Sequence, residues 1–568
     1  MNILPTDHSR QLITPRKGSP LERLFVLGQD SEIPSLRRPW IVLLVALAVI
    51  CGATAFIGAV PTRIYGHDVF VGLEGGWRVI NGQRPHVDFV SAWGPVWFLV
   101  EALGLTISGH SVNGIGYANA IMALIVGYWS FFVSKNRLGP YPRVILSCFL
   151  AALVAAPYPL GESFYVSSHA MVYNRYGFAL LGLILLECIA PVRGSRNSHR
   201  EEWIGGLSTG AALSLTLFLK ASYFLMAVGV IGVISLLLGR VGYRRLLSMI
   251  LALSLVSLCL LGYLRFNLAA MLRDLRMAGA ARATMLAPRH VFQVAVNHAS
   301  VLLGVVLFAL ATELLFGTRV PGWRRPRLLA IGILVFTADV FLMSTNAQLD
   351  GLPLCAVFAI LIVNEIAQDQ QSLPTAEASF YRPLYVGALF LGVLLFLPQF
   401  TSDLAGLAYG AWAKEWPSPG PGLLAFTSPN LKPLLLYDGE EVRSNGHVFT
   451  TYVNDGVALL ERTTREDETV LSIDMTNPFP YTLERRPPRA GIVSPVYHLN
   501  LDDAHRPTDD QFFGDADIVM VPKHPSLVDT TFEDFLKAYQ RGLMQRYYLA
   551  AETSWWWMYR RKSLPSDR

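Results

Sequence analysis

The residues best placed to do chemistry lie together, between the first two apolar segments of the chain. Residues 62–95 read TRIYGHDVFVGLEGGWRVINGQRPHVDFVSAWGP, packing Asp68, Glu74 and Asp88 with His67, His86, Arg63, Arg78 and Arg84. Carboxylates held beside a membrane surface can act as a general base, or hold a cation next to a lipid-borne phosphate. A merely solvated polar loop would show the same local composition, so the surrounding elements must decide. His67 and His86 with the two aspartates also match an N/O metal site. Unpaired loop histidines are far commoner. No cofactor is called for, and a divalent metal is the one alternative these residues leave open.

Those elements are membrane spans. Of 568 residues 52% are hydrophobic and 16% charged, against about 25% charged in ordinary soluble domains. From Trp40 to Phe400 the chain is a series of long apolar runs, many near the ~20 residues a helix needs to cross ~30 Å of hydrocarbon. Backbone groups cannot go unpaired in lipid, so runs of this length and composition are helices. Candidate spans fall near 40–61, 114–133, 143–158, 174–190, 203–219, 222–239, 246–266, 291–316, 327–345, 352–367 and 384–400. The first follows a polar arm, 1–39, with no convincing small-residue cleavage site, and reads as an uncleaved helix.

The segment Trp93–Ile107 is short and carries Glu101. If it does not cross, the clusters Lys135/Arg137/Arg143, Arg193/Arg196/Arg200, Arg240/Arg244/Arg245 and Arg319/Arg324/Arg325/Arg327 share a side with the basic N-terminal arm. The positive-inside rule favours that arrangement. Trp93–Ile107 is then a helix half-sunk in the outer interface, with Trp93 and Trp97 as interfacial anchors. The N-terminus is cytoplasmic, and residues 62–113 form an outer loop of the membrane domain, 40–400.

Eleven spans leave residues 401–568 outside the cytoplasm. This tail holds 23 of the 42 acidic residues, a composition that fits water rather than lipid. Helices around 455–465 and 526–541, strands at 469–473 and 517–521, and β-rich stretches at 547–550 and 555–559 read as a small α/β domain. The fold class is therefore mainly α, a polytopic transmembrane bundle with a C-terminal extracytoplasmic α/β domain. All five cysteines, Cys51, Cys148, Cys188, Cys259 and Cys355, lie in apolar runs, so neither a disulfide framework nor a thiolate metal site is implied. The formal charge of +5 sits largely in short inter-span loops, where topology explains it and nucleic acid does not.

The order His67-Asp68, Trp77-Arg78, Asn81-Gly82-Gln83-Arg84-Pro85, Asp88-Phe89 and Gly94-Pro95 resembles the membrane glycosyltransferases of the GT-C class, nearest to their bacterial branch related to protein O-mannosyltransferases and aminoarabinose transferases. The resemblance implies an enzyme of the bacterial inner membrane with a polyprenyl-phosphate sugar as donor and a glycan, lipid or protein acceptor outside the cytoplasm. It makes Asp68 the candidate catalytic carboxylate and Asp88 a second, positioning the acceptor or sharing a cation with Asp68. His67, Arg78 and Arg84 become substrate-binding candidates, and Arg175 and Lys220 the cations that meet the leaving phosphate. The sequence departs from the family where aminoarabinose transferases carry a lysine: Ser91-Ala92-Trp93-Gly94-Pro95 has no cation. The phosphate contact then comes from elsewhere, or the donor differs.

Two other classes compete. A transporter or flippase for lipid-linked sugars also needs many spans, but no paired inverted halves are found. A non-catalytic envelope-polysaccharide assembly protein would use the tail as its binding module. The basic stretch Arg265–Arg289 reads either as an anion contact or as an amphipathic surface helix. Trp555-Trp556-Trp557 reads first as strand packing and second as a sugar platform.

Overall fold

The computed structural model describes residues 38–191, 198–239, 242–281, 288–317, 327–345, 348, 350–371, 375–416, 424–437, 446–525 and 530–562. The N-terminal arm to residue 37, with Arg193, Arg196, Arg240, Arg282, Arg319, Arg324, Arg325 and Ser526, lies outside the described residues.

The membrane part is helical: α1 (Pro39–Ile57), α2 (Gly66–Ile80), α3 (Pro95–Ile107), α4 (Gly114–Val133), α5 (Pro140–Ala155), α6 (Val172–Ile189), α7 (Ser198–Leu219), α8 (Ala221–Leu238) and α9 (Tyr243–Tyr263), then α10 (Leu268–Ala281), α11 (Pro288–Asn297), α12 (Ala299–Gly317), α13 (Arg327–Thr345), α14 (Pro353–Gln371) and α15 (Thr375–Glu415). Five of these begin on proline, whose missing N–H is lost at a helix start anyway and whose fixed φ suits the first turn. Among the described residues eight helices are long and apolar enough to cross a membrane. Of the other expected spans, α5 is shorter, and α7 and α14 carry charged ends.

Burial separates the hub of the bundle from its lipid face. All 18 residues of α6 are buried, whereas Leu44, Val45 and Val49 of α1 and Leu255 and Leu258 of α9 are more than half exposed. Apolar faces of that extent are what lipid covers. Several charged groups inside the bundle have local partners. Glu313 accepts from the backbone N–H of Leu328 (2.6 Å) and Leu329, and Asp339 from those of Leu354 and Cys355 (2.9 Å). Each carboxylate thus serves the orphan donors that open the next helix. Arg137 pairs with Glu187 at 2.6 Å.

Two expected spans differ in form. The run at 291–316 is two helices, α11 and α12, broken at His298. The last run is the middle of the 41-residue α15, which at about 1.5 Å per residue is roughly twice a bilayer core. The helix therefore carries on past residue 400, and the tail fold begins beyond Glu415.

In the tail, α16 (Gly446–Thr463) and α19 (Thr530–Arg546) accompany a four-stranded sheet of β3 (Val470–Ser472), β4 (Ile518–Pro522), β5 (Tyr547–Glu552) and β6 (Trp556–Arg561). Its order is β3-β4-β6-β5, with only β3 and β4 parallel. A two-stranded ribbon, β1 (Leu424–Ala425) with β2 (Leu435–Leu436), precedes it. Short helices α17 (Phe479–Thr482) and α18 (Asp509–Phe513) fill the connections. Trp556 is fully buried and donates to the Tyr452 carbonyl, so strand packing is its role.

The tail and the loop between α1 and α4 share one core. Val69, Phe70, Leu73 and Trp77 of α2 pack with Phe426, Leu436, Phe449, Tyr452 and Val453. Thr62 bridges to Leu436, and Val90 to Ile492. What the sequence divides into loop and domain is one folded unit.

On the loop joining α5 to α6, His169 is buried between Gly58 O (2.9 Å from Nε2) and Asn119 Nδ2 (3.2 Å from Nδ1). Burial, with Arg175 adding to it, pulls this imidazole down to about 4, against the opposing pull of the Gly58 carbonyl. Because the folded value lies below the unfolded ~6.5, this stability is complete above pH 6.5 and falls as pH drops toward 4. Between pH 7.5 and 5 the loss is about 2 kcal/mol. Thermal unfolding of wild type should show it, and His169→Gln should flatten that part of the profile.

Candidate active site

Asp68 stands in the first turn of α2, after Tyr65 in the left-handed conformation (φ 54°). A carboxylate there is favoured by the helix dipole. Its side chain is 17% exposed, with His67 Nε2 at 3.8 Å, whereas Glu74 on the same helix is 2% exposed. Of the two α2 acids, only Asp68 reaches the surface.

α2 and α3 run parallel and close. Gly72 lies against Trp97, Gly76 against Glu101 and Ala102, and a Cβ at Gly75 would stand 2.1 Å from the Phe98 ring. Glycine is what lets α3 approach. The chain between them, 81–94, therefore returns along α2.

Glu74 and Arg78, four residues apart on α2, form a buried pair at 3.0 Å. Arg78 donates onward to Gln83 Oε1 and to the carbonyls of Pro488 and Ala490, while Glu74 accepts from Asn477 N–H. Trp77 Nε1 donates to the Arg485 carbonyl. Burial pushes the Glu74 carboxyl up, against Arg78, which pulls it down. These polar groups of the loop between α1 and α4 are not solvated. They fasten it to the tail, and Arg78, a substrate-binding candidate on sequence, has its hydrogen bonds to the tail carbonyls and, within the loop, to Glu74 and Gln83.

Asp88 Oδ2 accepts from Arg84 N–H at 2.8 Å, closing the turn 84–88. The Arg84 guanidinium lies 5.7 Å from the Tyr263 ring centroid. The described contacts give Asp68 and Asp88 separate surroundings. Among the described residues no three His, Cys, Asp or Glu side chains converge on a common point.

Lys220 occupies the break between α7 and α8, with extended backbone (φ −163°, ψ 128°). Gly94 N–H donates to the Leu219 carbonyl at 3.0 Å, and a Cβ on Gly94 would stand 2.0 Å from the Phe218 oxygen. The start of α3 is therefore seated directly on the Lys220 break. Lys220 Nζ lies 5.1 Å from the Tyr173 ring, within cation–π range. Tyr173 in turn packs on Trp97 (4.7 Å) and Trp93 (5.5 Å). Trp97, expected at the interface, is 2% exposed and donates to Glu101 Oε1. It belongs to an aromatic wall beside the lysine.

Arg175, 2% exposed, pairs with Asp403 at 2.9 Å and donates to the carbonyls of Tyr158 and Leu153. It clamps α15 to α6, apart from Lys220's aromatic wall in its bonding. One polar pair went unread in the sequence: His86 Nδ1 lies 3.0 Å from Asp274 Oδ2, both side chains fully buried. The positions are 188 apart in sequence. The only hint was an acid inside the basic stretch 265–289.

No family model matches this chain, and no curated protein matches it. Among solved structures it is similar to ArnT from Cupriavidus metallidurans in the apo state, with 12% identity and a TM-score of 0.46 over 92% of this chain and 97% of that one. It is also similar to the same protein bound to undecaprenyl phosphate, with 14% identity and a TM-score of 0.43 over 92% and 98% of the two chains. Both are ArnT, an aminoarabinose transferase of the GT-C class.

Proposed function

We propose that the protein is a membrane glycosyltransferase that moves a sugar from a polyprenyl-phosphate donor to a glycan, lipid or protein acceptor on the outer side of the bacterial inner membrane. The observation that carries this reading is the junction of α3 with the α7–α8 break. It sets the buried Lys220 beside Trp93, Trp97 and Tyr173, in the same outer assembly that presents Asp68. The cation absent from residues 91–95 is supplied by Lys220, whose neighbour Leu219 bonds Gly94.

In the proposed reaction Asp68 accepts the proton of the acceptor hydroxyl as its oxygen attacks the anomeric carbon. The bond from that carbon to the phosphate oxygen breaks, and the electron pair leaves with polyprenyl phosphate. A fixed positive charge near the departing oxygen stabilises the transition state more than the ground state. Lys220 has that task. His67, beside Asp68, orients the carboxylate, and Asp88 with Arg84 shapes the turn over which the acceptor enters.

The fate of a labelled donor tests the reading. Purified protein given a labelled polyprenyl-phosphate sugar and an envelope extract as acceptor should release polyprenyl phosphate and move the label to the acceptor. Donor that stays intact, or only changes leaflet, is the result for a scaffold or a transporter.

A further inference from the structure

Where α10 meets the tail there is a cleft of about 500 Å³, within the ~300–1,000 Å³ of small-molecule sites. Arg273 and Arg276 of α10 line one side, His505 and Arg506 the other, with Val90 and Met277 as apolar wall.

The charges of this cleft do not cancel. Its one lining carboxylate, Asp274, is fully buried and already met by His86 (3.0 Å) and Arg273 (2.8 Å). Arg276 has no ion pair among the described residues, and its side chain is exposed. Arg506 lies 4.8 Å from the Tyr539 ring, with Asp509 at 3.7 Å. His505 pairs with Asp502, outside the cleft lining. Arginines on two separate elements thus face one space over apolar walls. Guanidinium groups bind planar or tetrahedral oxyanions through paired N–H donors, and apolar walls suit the faces of a sugar ring. Val90 joins the cleft to the outer loop, two residues from Asp88.

We propose that this cleft binds an anionic saccharide, a sugar bearing a phosphate or a carboxylate, as the acceptor or part of it. The word acceptor rests on the transferase reading above; the anion site itself does not.

Calorimetric titration of the full-length protein in detergent, with glucose 1-phosphate, glucuronate and glucose as probes, decides the matter without turnover. Both anions should bind at least about tenfold more tightly than glucose, a difference of about 1.4 kcal/mol. Arg276→Glu should weaken them at least tenfold while leaving the thermal midpoint unchanged, because the side chain is exposed. Arg289→Gln on α11, a similar loss of charge away from the cleft, should change nothing. Polyprenyl phosphate added beforehand should leave sugar-anion affinity as it was. Equal binding of glucose, or undiminished anion binding by Arg276→Glu, overturns the site. Competition by polyprenyl phosphate overturns the acceptor assignment and gives the cleft to the donor head group. Anion binding by a protein that never cleaves a polyprenyl-phosphate sugar would sink the transferase reading and leave the anion site standing.

Discussion

Asp68→Asn is expected to lower sugar transfer by roughly 10²–10⁴-fold, the range that a positioned general base contributes. The substitution keeps the size of the side chain and most of its hydrogen bonding, and removes only proton acceptance. Asp68 is partly exposed in the first turn of a helix whose opposite face is locked into the shared core, so the fold should not change. Donor binding should survive, because the proposed contact to the lipid phosphate is Lys220, at the break between α7 and α8. Steady-state transfer together with donor binding, both on folded protein, checks it. Full transfer by Asp68→Asn removes the residue from catalysis. Asp88→Asn should cost less, since its carboxylate already closes a turn on Arg84 N–H.

The second large effect belongs to Lys220. Lys220→Ala should reduce transfer by about 10²–10³-fold, the scale seen when one group that stabilises developing negative charge is removed. Lys220→Arg keeps the charge but brings a wider, planar head group into a buried site against Tyr173, and should recover at least tenfold of the loss. Part of the remaining defect follows from the fixed geometry at the helix break, because arginine and lysine present charge differently. Equal activity in the alanine and arginine variants would show that charge at this position does not matter to the reaction.

Much of the architecture is legible in the residues because lipid enforces it. Runs of about 20 apolar residues have one backbone solution in hydrocarbon, so α1, α4, α6, α8 and α13 fall close to where their composition puts them. The tail strands are legible for a different reason: Val470–Ser472 and Ile518–Pro522 are short apolar runs bounded by turn and acidic residues. The breaks are harder. His298 interrupts a continuous apolar stretch, and α15 runs through Pro398 into a polar segment, since helix ends there are set by packing rather than by local preference.

The candidate site was legible only in part. Asp68 and Lys220 stand out because an acid just past a span and a lysine between two spans need a reason to be there. Arg78 and Arg175 stand out equally in sequence, yet their bonds go to Glu74 and to Asp403. A lone arginine does not reveal whether its partner is a substrate or an acid hundreds of residues away. The union of outer loop and tail was hidden for the same reason, because Trp77 meets Arg485 and Thr62 meets Leu436 only in three dimensions.

Everything proposed for Asp68 and Lys220 requires the outer loop and the tail to lie together on the outer face of the membrane. Single cysteines placed in a background lacking the five native ones, at Arg84, at Asp503 and at Arg244, and probed in intact cells with a membrane-impermeant maleimide, measure this directly. Arg84 and Asp503 should label from outside and Arg244 only after the membrane is opened. Labelling of Arg244 from outside, or protection of either Arg84 or Asp503 until the cells are opened, would contradict the assignment.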